Sequence, residues 1–247
     1  MEKLTVVGIG PGDYDNMTVR ADRALAESEV IIGYGVYIDL VRDHYPDKEF
    51  LSTPMTREAD RCRMALESAR SGKRTAMVCS GDSGIYGMAG LLFQLRGEAA
   101  EPDIEVVPGL TAACSGAALL GAPLTHDFAV ISLSDRLTPW EKIEKRLEAA
   151  AEADLAVVLY NPASKGRPDY LRRACDILLD AGVSPDTVCG YVRNTGRAGE
   201  EAHVTTLAQL RDAPLDMFCT AFIGSSSTLA DHGRMIAPRG YEKKRAL

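Results

Sequence analysis

Short apolar runs rich in Val, Ile and Leu alternate along this chain with segments of helical spacing, and two of the runs close on glycine-rich turns. Leu4-Thr-Val-Val7 ends in Gly8-Ile-Gly-Pro-Gly12, and Thr75-Ala-Met-Val-Cys79 ends in Ser80-Gly-Asp-Ser-Gly84. Strand, glycine turn and helix in succession form the repeating unit of an α/β sheet, in which pairing is mostly parallel. Further strands are predicted over Val30–Ile32, Ile104–Val107, Phe128–Ser132, Leu155–Tyr160, Val188–Val192 and Met217–Ile223. The spacing predicts helices over Thr18–Ala26, Arg57–Ser71, Ile85–Leu95, Thr111–Leu120 and Arg167–Ala181. Thr138-Pro-Trp-Glu141 and Thr206-Leu-Ala-Gln209 have capping-box form, so a helix should follow each. Gly121-Ala-Pro-Leu-Thr-His-Asp127 reads as a linker, after which the pattern restarts. The 247 residues therefore divide into two α/β domains, residues 1–120 and 121–247.

The formal charge is −7, from 35 acidic residues against 28 Lys and Arg, with no long basic run. Nucleic acid rewards clustered cations, so it is a poor partner for this chain. The first residues lack the layout of a signal peptide, and no apolar run reaches the roughly 20 residues that cross a bilayer. The sequence thus points to a cytoplasmic protein without membrane attachment. Six cysteines, at 62, 79, 114, 175, 189 and 219, form no CxxC pair and lie in apolar or helical contexts, which reads as reduced core thiols. His44, His126, His203 and His232 are dispersed, and no ligand spacing points to a metal.

The glycine turns carry the functional signal. A dinucleotide fingerprint needs GxGxxG opening directly into a helix, but here Asp13 takes the place of the third glycine. GxxxxGK[ST] is absent, which removes the ordinary phosphate loop. Asp82 brings a carboxylate to the carboxyl end of a strand, where open α/β sheets bind ligands. A carboxylate suits ribose hydroxyls, an ammonium or a sulfonium, and opposes phosphate. The competing reading is an Asp that bonds its own turn. Two such turns point to an uncharged or cationic nucleoside ligand.

Taken together, Gly8-Ile-Gly-Pro-Gly-Asp13, Ser80-Gly-Asp-Ser-Gly-Ile-Tyr-Gly87, Val107-Pro-Gly-Leu-Thr-Ala112 and Leu159-Tyr-Asn-Pro162 resemble the tetrapyrrole methylases. Finer segments are similar to the branch that methylates C(17) of precorrin-3B or cobalt-factor III in cobalamin biosynthesis. They are Leu133-Ser-Asp-Arg-Leu-Thr-Pro-Trp140, Tyr191-Val-Arg-Asn-Thr-Gly196 with Gly199-Glu-Glu201, Ile223-Gly-Ser-Ser-Ser-Thr228 and Pro238-Arg-Gly-Tyr241. The resemblance covers nearly the whole chain, with Ser225 standing where relatives often have Asn.

The resemblance implies two α/β domains with S-adenosylmethionine in the inter-domain cleft, a homodimer, and a small-molecule tetrapyrrole substrate. It implies cofactor contacts from Gly10, Pro11, Ser80, Gly81, Asp82, Ile85, Thr111 and Ala112, and from Tyr160, Asn161, Asn194, Thr195 and Gly196. It also implies ring contraction accompanying methylation, which needs proton transfers and stabilised oxyanions. Ser134 and Asp135 are the candidates for that work. The substrate carries many carboxylates, for which Arg136 and Arg193 are the leading partners, with Arg20, Arg57, Lys165, Arg167 and Arg197 behind them. On this reading an acidic exterior surrounds a site with a local excess of arginine, and the tail Glu242–Arg245 is a solvated end. Three alternatives stay open: methylation elsewhere on the ring without contraction, modification of a protein residue as in diphthamide synthesis, and a noncatalytic nucleoside-binding module.

Overall fold

The computed structural model describes residues 3–99, 101–164 and 166–241; Lys165 and the tail segment Glu242–Arg245 lie outside them. One compact unit spans Met1–Ala112 and another Ala113–Leu247.

The first unit contains β1 (Lys3–Gly8), α1 (Val19–Glu27), β2 (Val30–Tyr34), α2 (Gly35–Asp39), β3 (Glu49–Thr53), α3 (Glu58–Arg70), β4 (Thr75–Cys79), α4 (Ala89–Arg96) and β5 (Asp103–Val107). Its sheet has the order β3-β2-β4-β1-β5, and every pair is parallel. Strand side chains alternate between two cores. Val7, Ile31 and Val78 pack with Ala21 and Leu25 of α1 and Ile38 of α2. Val6, Ile32 and Met77 pack with Cys62 and Leu66 of α3 and Leu92 of α4. The chain leaves β1 past β4 in one direction and leaves β4 past β1 in the other. Right-handed crossovers in opposite directions put helices on opposite faces, which creates a topological switch point between β1 and β4. Both glycine turns follow these two strands.

Helix α5 (Ala112–Leu120), all but its first residue in the second unit, leads into β6 (Gly121–Ala122). The unit continues through β7 (Phe128–Ser132), α6 (Trp140–Glu152), β8 (Ala156–Tyr160), α7 (Tyr170–Asp180), β9 (Val188–Arg193), β10 (Glu201–Thr206), α8 (Leu207–Leu210), β11 (Cys219–Ile223), β12 (Leu229–Asp231) and β13 (Arg234–Ile236). The main sheet has the order β10-β9-β11-β8-β7. Only β7 and β8 pair in parallel, and the other neighbours are antiparallel. The expectation of mostly parallel pairing therefore fails in this half. β9 returns to β10 through the short turn 194–200, which is a hairpin and leaves no room for a crossover helix.

Helix α5 explains why the division falls at 112/113, before the predicted boundary. Its Ala113, Ala117 and Leu120 pack with Val158, Val192, Phe222 and Met235. Gly116 is what lets it approach: a Cβ there would lie 2.8 Å from Phe222 Cζ and from Val192 Cγ2. The predicted linker is no free strap either. Gly121–Ala122 forms β6 beside β13, and His126 Nε2 lies 2.8 Å from Pro238 O.

Three local expectations also change. Helix α4 starts at Ala89, because Asp82 takes the Gly84 and Ile85 N–H groups and Tyr86 has φ 53°. Pro139, with ψ 144°, is itself the cap of α6, and no side chain caps that end. The predicted Thr138 box thus does not form, whereas Thr206 does accept from Gln209 N, at the start of α8. Residues 217–218, read as the start of a strand, belong to a turn in which Phe218 N donates to Asp216 Oδ1 at 2.9 Å.

Candidate functional site

The candidate residues form two sets, one in each unit. In the first unit Gly10, Pro11, Ser80, Gly81, Asp82 and Ile85 sit in the loops after β1 and β4, and Thr111 and Ala112 follow β5. Three loops meet here backbone to backbone. Gly10 and Gly81 exchange N–H to O bonds of 3.1 and 2.7 Å, both at positive φ, 74° and 68°. A Cβ at Gly8 would lie 2.6 Å from Gly109 N and 2.7 Å from Gly81 O. Only glycine allows this approach.

Asp82 ties the loops together. Oδ1 accepts from Gly84 N at 2.7 Å and Ile85 N at 3.0 Å, and Oδ2 accepts from Gly109 N at 3.0 Å. Buried Ser83 donates to Val107 O at 3.0 Å. The Asp82 carboxylate thus fixes the loop's shape, as the competing reading of that residue required. Asp13 acts likewise in the first loop, accepting from Asn16 N at 2.7 Å and Asn16 Nδ2 at 2.8 Å. Tyr14 and Tyr45 both donate to Asp22 Oδ1 of α1, at 2.9 and 2.7 Å. The helix opens at Val19, well after Gly10, so no helix N-terminus stands directly behind the glycines and the dinucleotide geometry is absent.

In the second unit the strand directions bring the carboxyl ends of β7, β8 and β9 to one edge of the sheet. Ser132 pairs with Tyr160, and Arg193 with Cys219 and Glu201. This edge therefore gathers Ser134, Asp135, Arg136, Tyr160, Asn161, Arg193, Asn194, Thr195 and Gly196. Tyr160 Oη accepts from Ala113 N, an otherwise orphaned donor at the start of α5, at 2.7 Å. Asn161 and Asn194 sit at φ 54° and 51°, a conformation Asn tolerates better than most residues. Asn161 Nδ2 donates to Ser132 Oγ at 2.9 Å. Gly196 N donates to Glu200 Oε2 at 2.7 Å.

Ser134 and Asp135 share partners that sequence reasoning did not assign to them. Arg167 Nη1 donates to Ser134 Oγ at 2.8 Å and to Asp135 Oδ1 at 3.1 Å. Tyr170 donates to Asp135 Oδ2 at 2.5 Å. That hydrogen bond, with the Arg167 charge behind it, holds the Asp135 carboxyl below its usual range, and the same contact raises the Tyr170 phenol.

The expected arginine excess is largely neutralised. Arg193 binds Asp216 at 2.5 Å and Pro214 O at 2.9 Å. Arg20 pairs with Glu105, Arg57 with Asp60 and Arg167 with Asp135. At Arg197 the bond to Asn194 O comes from the backbone N–H and closes the turn, so it does not bear on the side-chain charge. Arg136 is exposed. Five cysteines are buried, but Cys114 is exposed, which departs from the expectation of six core thiols. Burial pushes the Cys62 and Cys175 thiols up to about 12, and Cys79 and Cys219 to about 11. Among the described residues no cluster of His, Cys, Asp and Glu could hold a metal, and no helix is long and apolar enough to cross a membrane.

A doubly wound parallel unit with glycine loops at its switch point, followed by a mixed α/β unit with polar turns at one edge, is the two-domain arrangement of one class of methylating enzymes. The chain belongs to the tetrapyrrole (corrin/porphyrin) methylases, whose family model matches residues 3–211. It is 46% identical to the probable cobalt-factor III C(17)-methyltransferase of Salmonella typhimurium, over 96% of this chain and 99% of that one. It is 44% identical to the cobalt-factor III methyltransferase of Priestia megaterium, over 99% of this chain and 46% of that protein. Among solved structures, that of the methyltransferase CobJ superposes with a TM-score of 0.88 at 36% identity, covering 96% of this chain and all of that one.

Proposed function

We propose that this protein is an S-adenosylmethionine-dependent C-methyltransferase of cobalamin biosynthesis, which methylates C(17) of cobalt-factor III or precorrin-3B with contraction of the ring. The single observation that carries the reading is 46% identity to a cobalt-factor III C(17)-methyltransferase along essentially both full lengths. The glycine loops fit the cofactor. A Cβ at Gly8 or Gly109 would push the loops apart, and the turn sequences 8–13 and 80–84 contain no Lys or Arg. When bound, S-adenosylmethionine supplies an electrophilic methyl group on a sulfonium, a leaving group that needs no proton.

The protein's task in methyl transfer is therefore alignment, and held geometry supplies much of the acceleration. Asp82 contributes by fixing the loop through three backbone N–H groups. Loops that close backbone to backbone suit a ligand recognised by close approach. Tyr160, Asn161 and the turn at Asn194–Gly196 are proposed for the adenine side. Contraction also needs a developing negative charge on oxygen to be stabilised, which is proposed for the donors on the edge that carries Ser134, while Asp135 holds Arg167 in place there. Asp135, held ionised, is suited to a fixed charge and is a weak base. Arg136 is the better candidate for a substrate carboxylate, since Arg193 is engaged by Asp216.

The protein is further proposed to work as a cytoplasmic homodimer, which light scattering on the eluting peak would test. The deciding experiment for function is anaerobic incubation with cobalt-factor III, and aerobic incubation with precorrin-3B, each with methyl-labelled S-adenosylmethionine. One labelled methyl in the product, located at C(17) by NMR, is the expected result. A methyl elsewhere on the ring would redirect the assignment, and no incorporation from either substrate would overturn it.

A further inference from the structure

We infer that Ser134 donates a hydrogen bond to an anionic oxygen of the tetrapyrrole, polarised from behind by Arg167, and that Tyr170 is a positioning residue for this pair. The inference rests on the tetrapyrrole reading of the site and goes beyond it in assigning direction and hierarchy to the contacts.

Direction follows from the donor inventory. A guanidinium has only donors, so at 2.8 Å the Ser134 oxygen must accept from Arg167 Nη1, and the hydroxyl proton is left for another partner. Accepting from a cation strengthens the same hydroxyl as a donor. Among the described residues no carboxylate or imidazole accepts from Ser134, so the arrangement that would make it a nucleophile is missing. A hydroxyl with a fixed cation behind it and its proton outward fits an anionic oxygen that forms on the tetrapyrrole during contraction, a contact that shows in kcat and not only in KM.

Hierarchy follows from the supports. Asp135 accepts from Arg167 with one oxygen and from Tyr170 with the other, so the carboxylate anchors Arg167 against Ser134. Arg167 Nε reaches Ser164 Oγ at 3.3 Å, and the Arg167 side chain is 18% exposed. From the strand side Ser132 Oγ accepts from Ser134 N at 3.2 Å and from Asn161 Nδ2 at 2.9 Å. Tyr170 is itself held, with Trp140 at 4.6 Å between ring centroids and the Arg173 guanidinium 5.3 Å from its ring. The whole brace points one hydroxyl and leaves it one proton to give.

The test uses the full chain with substrate and cofactor. Ser134→Ala should lower kcat by about 100-fold, the scale of a lost oxyanion donor, while calorimetry gives an unchanged cofactor Kd. Ser134→Thr keeps the hydroxyl and should recover to within about tenfold of the parent. Arg167→Met should fall as far as Ser134→Ala, and the double variant no further, because the two act as one unit. Tyr170→Phe should lose less. Wild-type kcat in Ser134→Ala, or Ser134→Thr as impaired as Ser134→Ala, would overturn the inference with the methyltransferase reading intact. Should Arg167→Met fail to fold, the two Ser134 variants still decide. A wild-type protein that methylates neither tetrapyrrole removes the functional reading and this inference together.

Discussion

Asp135 accepts from Tyr170 at one oxygen and Arg167 at the other, and this pairing makes its titration a probe of the second site. A carboxyl held below its usual range keeps its charge, and with it the brace on Arg167, above its unfolded value. The brace is lost as pH falls through the lower folded value. Tyr170→Phe removes the largest cause of the depression. The Asp135 carboxyl-carbon shift, followed by NMR against pH, should then show a midpoint moved upward, toward an ordinary aspartate. An unmoved midpoint would mean that Arg167 alone holds the charge. The group is solvent-accessible, so the change should be small in global stability and visible chiefly at the site. Ser134 and Asp135 were legible as candidates because they sit in a specific run of residues. Their partner Tyr170 was not, since it reads as an ordinary helix residue and meets Asp135 only when α7 packs beside α6, with Tyr170 against Trp140. Asp216, which occupies Arg193, was hidden for the same reason.

At the scale of elements, the first unit was readable because parallel strands buried on both faces are continuous apolar runs. Val30–Ile32 and Thr75–Cys79 lie in such strands. Two of the edge strands were missed: Glu49–Thr53 and Glu201–Thr206 border their sheets and carry too many polar residues to stand out, whereas the edge strands at Ile104–Val107 and Phe128–Ser132 are apolar enough to read. The glycine loops give the sharpest test at this scale. Gly8→Ala would force a Cβ to within 2.6 Å of Gly109 N and 2.7 Å of Gly81 O. Both obstacles are backbone, so the loops must separate. Overpacking of this kind costs about 1–3 kcal/mol, and Tm should fall. Affinity for S-adenosylmethionine should weaken by about tenfold, the equivalent of about 1.4 kcal/mol. Gly90→Ala is the control. It lies in α4 with nothing within 4 Å of the new Cβ, so Tm should hold or rise, given a helix-propensity gain of up to about 1 kcal/mol. Equal cofactor affinity in Gly8→Ala and the parent would remove the three-loop contact from the binding site.

Across the whole molecule, the charge of −7 now has a clearer consequence. The expected pool of free arginines is mostly bound to acidic partners: Arg20 to Glu105, Arg57 to Asp60, Arg167 to Asp135 and Arg193 to Asp216. Each pair is neutral at long range. A polycarboxylate approaching this chain therefore meets net repulsion until it reaches local donors such as Arg136 and the Ser134 hydroxyl. Long-range repulsion is screened by salt, because the Debye length falls from roughly 14 Å to roughly 4 Å between about 50 mM and about 500 mM ionic strength. Short contacts in the site are screened much less. Raising ionic strength over that range should lower KM for the tetrapyrrole by about two- to threefold, by admitting the anion more readily. The KM of cationic S-adenosylmethionine should stay level or rise. Steady-state kinetics in a chloride series checks both at once. A tetrapyrrole KM that rises with salt would mean that exposed cations near the site outweigh the acidic exterior. In that case alanine substitution at Arg136 should flatten the slope.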